Sequence, residues 1–292
     1  MDVSVVIVNY NTKALLKQCL ESIYVKTQNI DFEIIVIDNA STDDSIQMLK
    51  AEFPSVRLIE NTENLGFGRA SNLGAMSANG NYLIFLNSDT ILLNNAFHIF
   101  FNSMILNNIS LCGCYLYNSD KEKIHSFDSN ASPLRTLVRF SYYSFPILRK
   151  IKLFFIKDNS LNEKQHLIKV GYITGADIFV KKEIFKKIGG FDEHFFMYFE
   201  DDDFCRRAKL AGFDSFIISG PKIIHLEGAS IKHTYKKIKI LEKSFLYYMK
   251  KYNTKKTYAI IKFSLLVCAY LRLFSLNYTL NEKIDLLKSL HE

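Results

Sequence analysis

A chain of 292 residues with 48% hydrophobic content can bury a substantial core, as one large domain or a domain plus an appendage, which excludes a disordered polypeptide. Its net charge of +7 sits at one end: from Lys232 onward there are 13 Lys and Arg against 4 Asp and Glu, and before it 24 against 26. The start, Met1-Asp2-Val3-Ser4, shows neither a basic leader nor a long apolar segment, which argues against a secretion signal or transit peptide and for a catalytic part in the cytoplasm.

Apolar runs rich in Val, Ile and Phe at 3–9, 32–38, 56–60 and 81–86 alternate with amphipathic segments of helical length. That alternation predicts a mainly parallel sheet flanked by helices on both faces, with ligands outside the carboxyl ends of its strands. Polar residues follow each run: Asn9-Tyr10-Asn11-Thr12, Asp38 to Thr42, Asn61 to Gly68 and Asn87-Ser88-Asp89, all expected to line one crevice. Ser41 with Asp44 spells a capping box opening a helix through about Lys50, a structural job that keeps the pair out of the site. A second part begins near Gly113. It holds a basic aromatic stretch from Leu134 to Lys157 with six Lys and Arg and no acid, an apolar run from Leu167 to Val180, and a helix starting near Glu200 and stopping at Gly212. The predicted organisation is a domain over 1–230, with a βα site half (1–112) and an acceptor half (113–230), followed by a basic helical region over 231–292.

Two acidic clusters carry the chemistry. Carboxylates gathered at the ends of buried elements repel one another and lose hydration, so they persist where a cation or a proton transfer uses them. Asp89, at a strand terminus, is a natural ligand for a divalent cation that neutralises a departing pyrophosphate, with Asn87 assisting through its amide oxygen. His225, after Ile223-Ile224, is placed to complete the metal shell. Asp38 is suited to accept a hydrogen bond from a pyrimidine ring N–H, Tyr10 to offer a stacking face, and Arg69 to pair with a diphosphate; Asn64 and Gly66 lie in the glycine-containing loop before it. In Glu200-Asp201-Asp202-Asp203 helical geometry turns each acid in a different direction, so one alone can face an acceptor hydroxyl. A dinucleotide-binding enzyme is disfavoured, because the turn after the first strand has no glycine. The five cysteines, scattered and without a Cys-x-x-Cys pair, read as reduced, mostly buried thiols.

Taken together, Ser4 to Asn11, Ile37 to Asp43, Asn64 to Gly68, Leu86 to Asp89, Thr174-Gly175-Ala176 and Gly190-Phe191-Asp192-Glu193 through Asp201 resemble family 2 glycosyltransferases of the GT-A fold, especially rhamnosyltransferase-like members. The resemblance implies inversion in one displacement. Asp201 corresponds to the catalytic base and Asp89 to the last acid of the family's Asp-x-Asp motif, with His225 as the downstream metal-binding histidine and Asp38 and Arg69 as nucleotide contacts. Glu200, beside the base, falls among the substrate-binding residues. Mg or Mn is the implied cofactor, and a nucleoside-diphosphate sugar the donor, thymidine diphosphate rhamnose first and a uridine diphosphate hexose second. Two departures stand out: Asn87 replaces the first acid of the motif, and the absence of Trp rules out the Gln-x-x-Arg-Trp motif of processive synthases, which favours single additions. A nucleotidyltransferase and a nonenzymatic sugar-binding protein on a degenerate transferase are the competing readings.

After Ser230 two or three helices are expected. The longest uncharged stretch there, Phe263 to Leu271, is too short to span a bilayer. It suits the interface of an anionic membrane, with Tyr258, Phe263, Tyr270 and Phe274 at headgroup depth, or simple packing against the domain. The expected partners are therefore a glycan acceptor, lipid-linked, and an anionic membrane surface, with no nucleic acid, and the expected location is the inner face of the cell membrane.

Overall fold

A computed structural model describes residues 1–133, 166–226, 234–272, 279 and 281–282; the basic stretch expected at 134–157 lies outside them. The four apolar runs form β1 (Val3–Asn9), β2 (Phe32–Asp38), β3 (Arg57–Glu60) and β4 (Tyr82–Asn87). Between and after them come α1 (Lys13–Lys26), α2 (Ser45–Glu52), α3 (Phe67–Ser77), β5 (Thr90–Leu92), α4 (Ala96–Leu106), β6 (Leu111–Tyr117) and β7 (Phe127–Asp128). The run expected from Leu167 to Val180 is broken into β8 (Leu167–Val170), β9 (Tyr172–Ile173) and β10 (Asp177–Lys181). Then follow α5 (Lys182–Ile188), α6 (Glu200–Leu210), β11 (Ser215–His225), α7 (Thr234–Tyr252) and α8 (Lys255–Arg272).

Nine strands join one sheet in the order β3-β2-β1-β4-β10-β6-β11-β5, with β8 also paired to β11. β1 to β4 are parallel, and β6 and β11 run with them; β10, β5 and β8 run against them. Parallel strands need both faces covered, which explains why β1 is apolar almost throughout. Val3, Val5 and Ile7 pack with Leu16, Leu20 and Ile23 of α1 in the main core. On the opposite face α3 comes so close that a Cβ on Gly74 would stand 2.5 Å from Val6 and 2.6 Å from Ile37, a clash only glycine avoids. β10 joins residues on either side of Gly113 into the same sheet, lying between β4 and β6.

The expected Ser41–Asp44 capping box is not formed. Asp44 is left-handed at φ 60° and makes no side-chain cap, and α2 starts one residue later. Asp43 does the ordering instead: it accepts from the backbone and hydroxyl of Ser45 and from Lys13 N at 2.7 Å. Ser41 Oγ in turn accepts from Asn11 N at 2.9 Å and Asn9 Nδ2 at 3.1 Å. A residue that pins a neighbouring loop cannot also cap its own helix, and this is what the local pattern could not disclose.

The described residues fall into two compact units. One holds 1–130, 166–196 and 200–226; the other holds 131–133, 197–199, 234–272, 279 and 281–282. The described part of the second is mainly the helices α7 and α8. In it Ser244 Oγ donates to Met197 O at 2.7 Å, and Phe199 lies against Phe245 and Tyr248. No helix among the described residues is long and apolar enough to cross a membrane. Cys19, Cys112, Cys114 and Cys205 are free and buried, and Cys268 is free and half-buried.

Candidate active site

The polar loops after β1 to β4 form one hydrogen-bonded rim. Thr12 Oγ1 meets Ser88 Oγ at 2.9 Å and donates to Asn9 Oδ1 at 2.7 Å; Asn9 Nδ2 donates to Asp38 Oδ2 at 2.7 Å. From there the network runs through Asn39, which receives from Asn61 Nδ2 and donates to Asn64 Oδ1 and Gly66 O. Parallel strands place their carboxyl ends side by side, so the loops that follow them share one edge of the sheet. Asp38 is fully buried, its other oxygen accepting from Ser41 N at 2.8 Å, so both oxygens face the loop; Tyr10, at 41% exposed, offers an aromatic surface on this rim. Gly66 sits at φ 79° with no room for a Cβ against Phe196 O, which lets Phe67 N donate to that carbonyl and fixes the start of α3. Arg69, in the first turn of α3, pairs at 3.5 Å with Glu193, and both are about half exposed.

Beyond β4 the chain turns through Ser88 and Asp89 into β5, which pairs with β11 rather than with β4. That pairing sets Thr90 opposite His225 and brings His225 Nε2 to 3.2 Å from Asp89 Oδ1 and 3.3 Å from the Asn87 amide nitrogen. Three groups from two segments thus converge: the amide of Asn87 and the carboxylate of Asp89 from the turn after β4, and the imidazole of His225 from β11. No three His, Cys, Asp or Glu side chains form a metal cluster among the described residues, so the protein supplies few ligands here. Such a sparse set fits a hard divalent cation such as Mg or Mn, which keeps positions for water and phosphate oxygens.

The four consecutive acids of α6 divide as helical geometry requires. Asp203 is buried and bonded to Arg207 at 2.7 Å, and Arg207 also donates to Ile188 O and Gly190 O, so this pair ties α6 to the end of α5. Asp202 accepts from Asn130 Nδ2 at 2.7 Å. Asp201 accepts from Gly175 N at 3.0 Å and from Asp202 N at 2.8 Å. Glu200 is 6% exposed, and its Oε2 has no hydrogen-bond partner among the described residues. Phe204, one turn on, packs with Phe185 and Phe191, and these two pack on Phe85 of β4, which holds the helix start against the sheet.

Burial, followed by the charge of Asp201, pushes Glu200 well above the ordinary carboxylate range. Burial raises Asp201 to about 6, offset by the two backbone N–H groups it accepts from. Burial raises both acids, and the backbone N–H groups that Asp201 accepts from favour its carboxylate form over that of Glu200.

The short segment Thr174-Gly175-Ala176 joins these parts. Gly175 N holds Asp201, and Ala176 O accepts from Asn87 N at 3.1 Å, so the acid on α6 and the Asn87–Asp89 turn are fastened to adjacent residues. A Cβ on Gly175 would touch Phe67 at 3.4 Å and Asp201 at 3.9 Å, and one on Gly68 would lie 3.8 Å from Glu200, so the start of α3 borders the same place. Asp201, Glu200, Asn87, Asp89, His225, Asn64 and Gly66 are therefore gathered, while Arg69 lies at the outer end on Glu193 and Asp38 beneath the rim.

Sequence reasoning put Asn39 and Thr12 in the crevice loops without giving them the role of knitting the rim, and it missed Asp177. Asp177 is fully buried in β10; its Oδ2 accepts from Cys114 N at 2.7 Å and its Oδ1 has no hydrogen-bond partner among the described residues. An acid opening an apolar strand gives no signal of its depth. Burial raises it to about 7, so between about 4 and 7 the folded chain holds a proton that the unfolded chain has released. Folding stability from this group therefore falls as pH rises through that window, by about 4 kcal/mol at most. Asp177→Asn removes this contribution, and the fall in urea midpoint between about pH 5 and about pH 8 is expected to be smaller in the variant than in the natural chain.

Comparison with known proteins gives the family and the fold. Residues 4–189 match the family model described as glycosyl transferase family 2, and residues 165–237 match one described as the N-terminal domain of galactosyltransferase. An N-acetylglucosaminyl-diphospho-decaprenol L-rhamnosyltransferase of Mycobacterium tuberculosis is 25% identical over 238 residues, 76% of this chain and 75% of the relative. A poly(ribitol-phosphate) beta-glucosyltransferase of Bacillus spizizenii is 38% identical over 94 residues, which span 30% of this chain but only 15% of that protein. Among solved structures, the mannosyltransferase PcManGT from Pyrobaculum calidifontis with GDP-Man and Mn2+ superposes with TM-score 0.56 at 17% identity over 98% of this chain and 78% of its own. GalNAc-T7 with UDP, GalNAc and Mn2+ gives 0.57 at 16% over 83% of this chain, which spans about half (48%) of that one. The neighbours share the GT-A fold, and the family match covers well over half of the sequence: this chain belongs to glycosyl transferase family 2.

Proposed function

We propose that this glycosyltransferase adds a single sugar from a nucleoside-diphosphate donor, with inversion, to a hydroxyl of a lipid-linked glycan acceptor at the inner, anionic face of the cell membrane, as a step of surface polysaccharide synthesis. The observation that carries it is the Thr174–Ala176 segment, which holds Asp201 on one side and the Asn87–Asp89 turn on the other. Asp201 takes the proton of the acceptor hydroxyl as its oxygen bonds to the anomeric carbon, and the bond from that carbon to the diphosphate oxygen breaks on the opposite face. One carboxylate base suffices for inversion, with no second acid as covalent nucleophile. Asp89 and His225, with the Asn87 amide, would hold a divalent cation, Mg or Mn, which supplies neutralisation of charge on the leaving diphosphate. Arg69 would exchange Glu193 for that diphosphate, Tyr10 would lie against the base, Asn64 and Gly66 would shape the loop beside it with Asp38 ordering the rim from below, and the protonated Glu200 would donate to a sugar hydroxyl. Thymidine diphosphate rhamnose is the first donor proposed, supported by the name of the mycobacterial relative, and a uridine diphosphate hexose the second.

The test is a thermal-shift screen of nucleotide sugars with Mn2+ and with Mg2+. The expected result is a rise in Tm with thymidine diphosphate rhamnose that needs the cation. A cation-dependent response to nucleoside triphosphate plus sugar phosphate, with pyrophosphate released, would instead make the chain a nucleotidyltransferase.

A further inference from the structure

The helical pair α7–α8 carries an apolar face that the catalytic chemistry does not use. Along α8, Ile261, Leu265 and Ala269 recur at every fourth position and are buried. Ile260, Phe263, Val267 and Tyr270, spaced three, four and three apart, fall on the opposite side of the cylinder and are 65%, 69%, 41% and 51% exposed. A helix that packs one stripe and shows water another, nearly as apolar, has been left with a surface to cover. Of the aromatic residues expected at headgroup depth, Phe263 and Tyr270 are on this stripe. Tyr258 is half-buried on the packed side, and Phe274 lies outside the described residues.

The charges around the stripe decide what covers it. Over 234–272 there are nine lysines and Arg272 against one acid, Glu242, and that acid is fully buried. Lys236, Lys237, Lys243, Lys250, Lys251, Lys255 and Lys256 are exposed, and Lys262 flanks the stripe half-buried. A second copy of the chain would set this surface against an equal positive charge. A nucleic acid would take up the charge but give Ile260 and Val267 nothing to bury against. Anionic headgroups above acyl chains satisfy both at once: the side chains enter the acyl boundary while the lysines reach the phosphates.

We infer that α8 lies in the plane of an anionic bilayer surface and inserts the face formed by Ile260, Phe263, Val267 and Tyr270. The inference builds on the membrane-side acceptor proposed above and gives that reading its contact surface. Burial depth and charge both contribute, so binding weakens with salt and disappears on neutral lipid.

The test uses the full chain with vesicles of phosphatidylglycerol and phosphatidylcholine, or of phosphatidylcholine alone, scored by cosedimentation. Wild type is expected to bind the anionic vesicles in a salt-sensitive way and to leave the neutral ones. Phe263→Asp with Val267→Asp lowers partitioning by about tenfold or more, and Lys255→Glu with Lys256→Glu and Lys262→Glu does so too. In both variants the nucleotide-sugar thermal shift stays as in wild type, which separates loss of the docking face from failure of the proposed transferase site. Equal sedimentation with both vesicle types overturns the inference, as does undiminished binding by the Phe263→Asp, Val267→Asp variant. So does a dimer of the natural chain that this variant dissolves while vesicles stay unbound.

Discussion

Replacing Asp201 by Asn is expected to lower kcat for sugar transfer by about 10²- to 10⁴-fold while the donor still binds. The substitution keeps the size of the side chain and an oxygen for Gly175 N, so it removes proton acceptance with little change of shape. Burial holds the natural carboxyl at about 6, and a base works only when ionised. Activity of the natural enzyme is therefore expected to rise with pH up to about 6 and level off above it, falling about tenfold per pH unit on the acid side. Glu200 supplies a control from the next position. Burial and the charge of Asp201 favour its protonated form, so Glu200→Gln should preserve most of the rate, whereas Glu200→Ala should raise the donor KM. Initial rates over a pH series, with donor binding followed by thermal shift, check the whole pattern. Unchanged transfer by Asp201→Asn would remove it from the role of base.

The second large effect concerns the metal pair. Asp89→Ala and His225→Ala are each expected to cost about 10²-fold or more in transfer, because a bound cation contributes several kcal/mol to a departing diphosphate. The two side chains approach one another at 3.2 Å and, on the proposal above, serve a single ion, so the double variant should be little worse than either single one. Activity alone would not distinguish lost metal from a distorted turn. The rise in Tm produced by Mn2+ together with nucleoside diphosphate should disappear in both single variants, while Tm without Mn2+ moves little. Asn87→Asp adds a second carboxylate beside His225 and is expected to reduce the Mn2+ concentration at half effect. A full Mn2+ response in Asp89→Ala would place the cation elsewhere.

Much of this architecture is legible in the chain itself. The β1, β2 and β4 runs announce themselves because strands buried on both faces must be largely apolar, and β3, an edge strand with Leu58 and Ile59 half-buried, by its place in the alternation; each is followed at once by the polar loop that serves the crevice. The acids of α6 are legible as a group, since four consecutive carboxylates exceed what a helix start requires. Their division is not. That Asp203 belongs to Arg207, Asp202 to Asn130 and Asp201 to Gly175 depends on partners 4, 72 and 26 residues away. The capping box failed for a related reason: Ser41 is engaged by the loop after β1, thirty residues earlier in the chain.

By itself the sequence determined the first four strands and their alternation with helices, the family, the residues at those strand ends and the basic character of the last helices, because periodicity, turn chemistry and charge are local properties. Tertiary structure alone decided that β5 crosses to β11 and so sets His225 on Asp89, that β10 runs against β4 and carries a buried Asp177, and that one stripe of α8 is packed while the other meets solvent. Each of these depends on which distant segment arrives as neighbour, and the energy of a side chain in a folded protein is set by that neighbour at least as much as by its own identity.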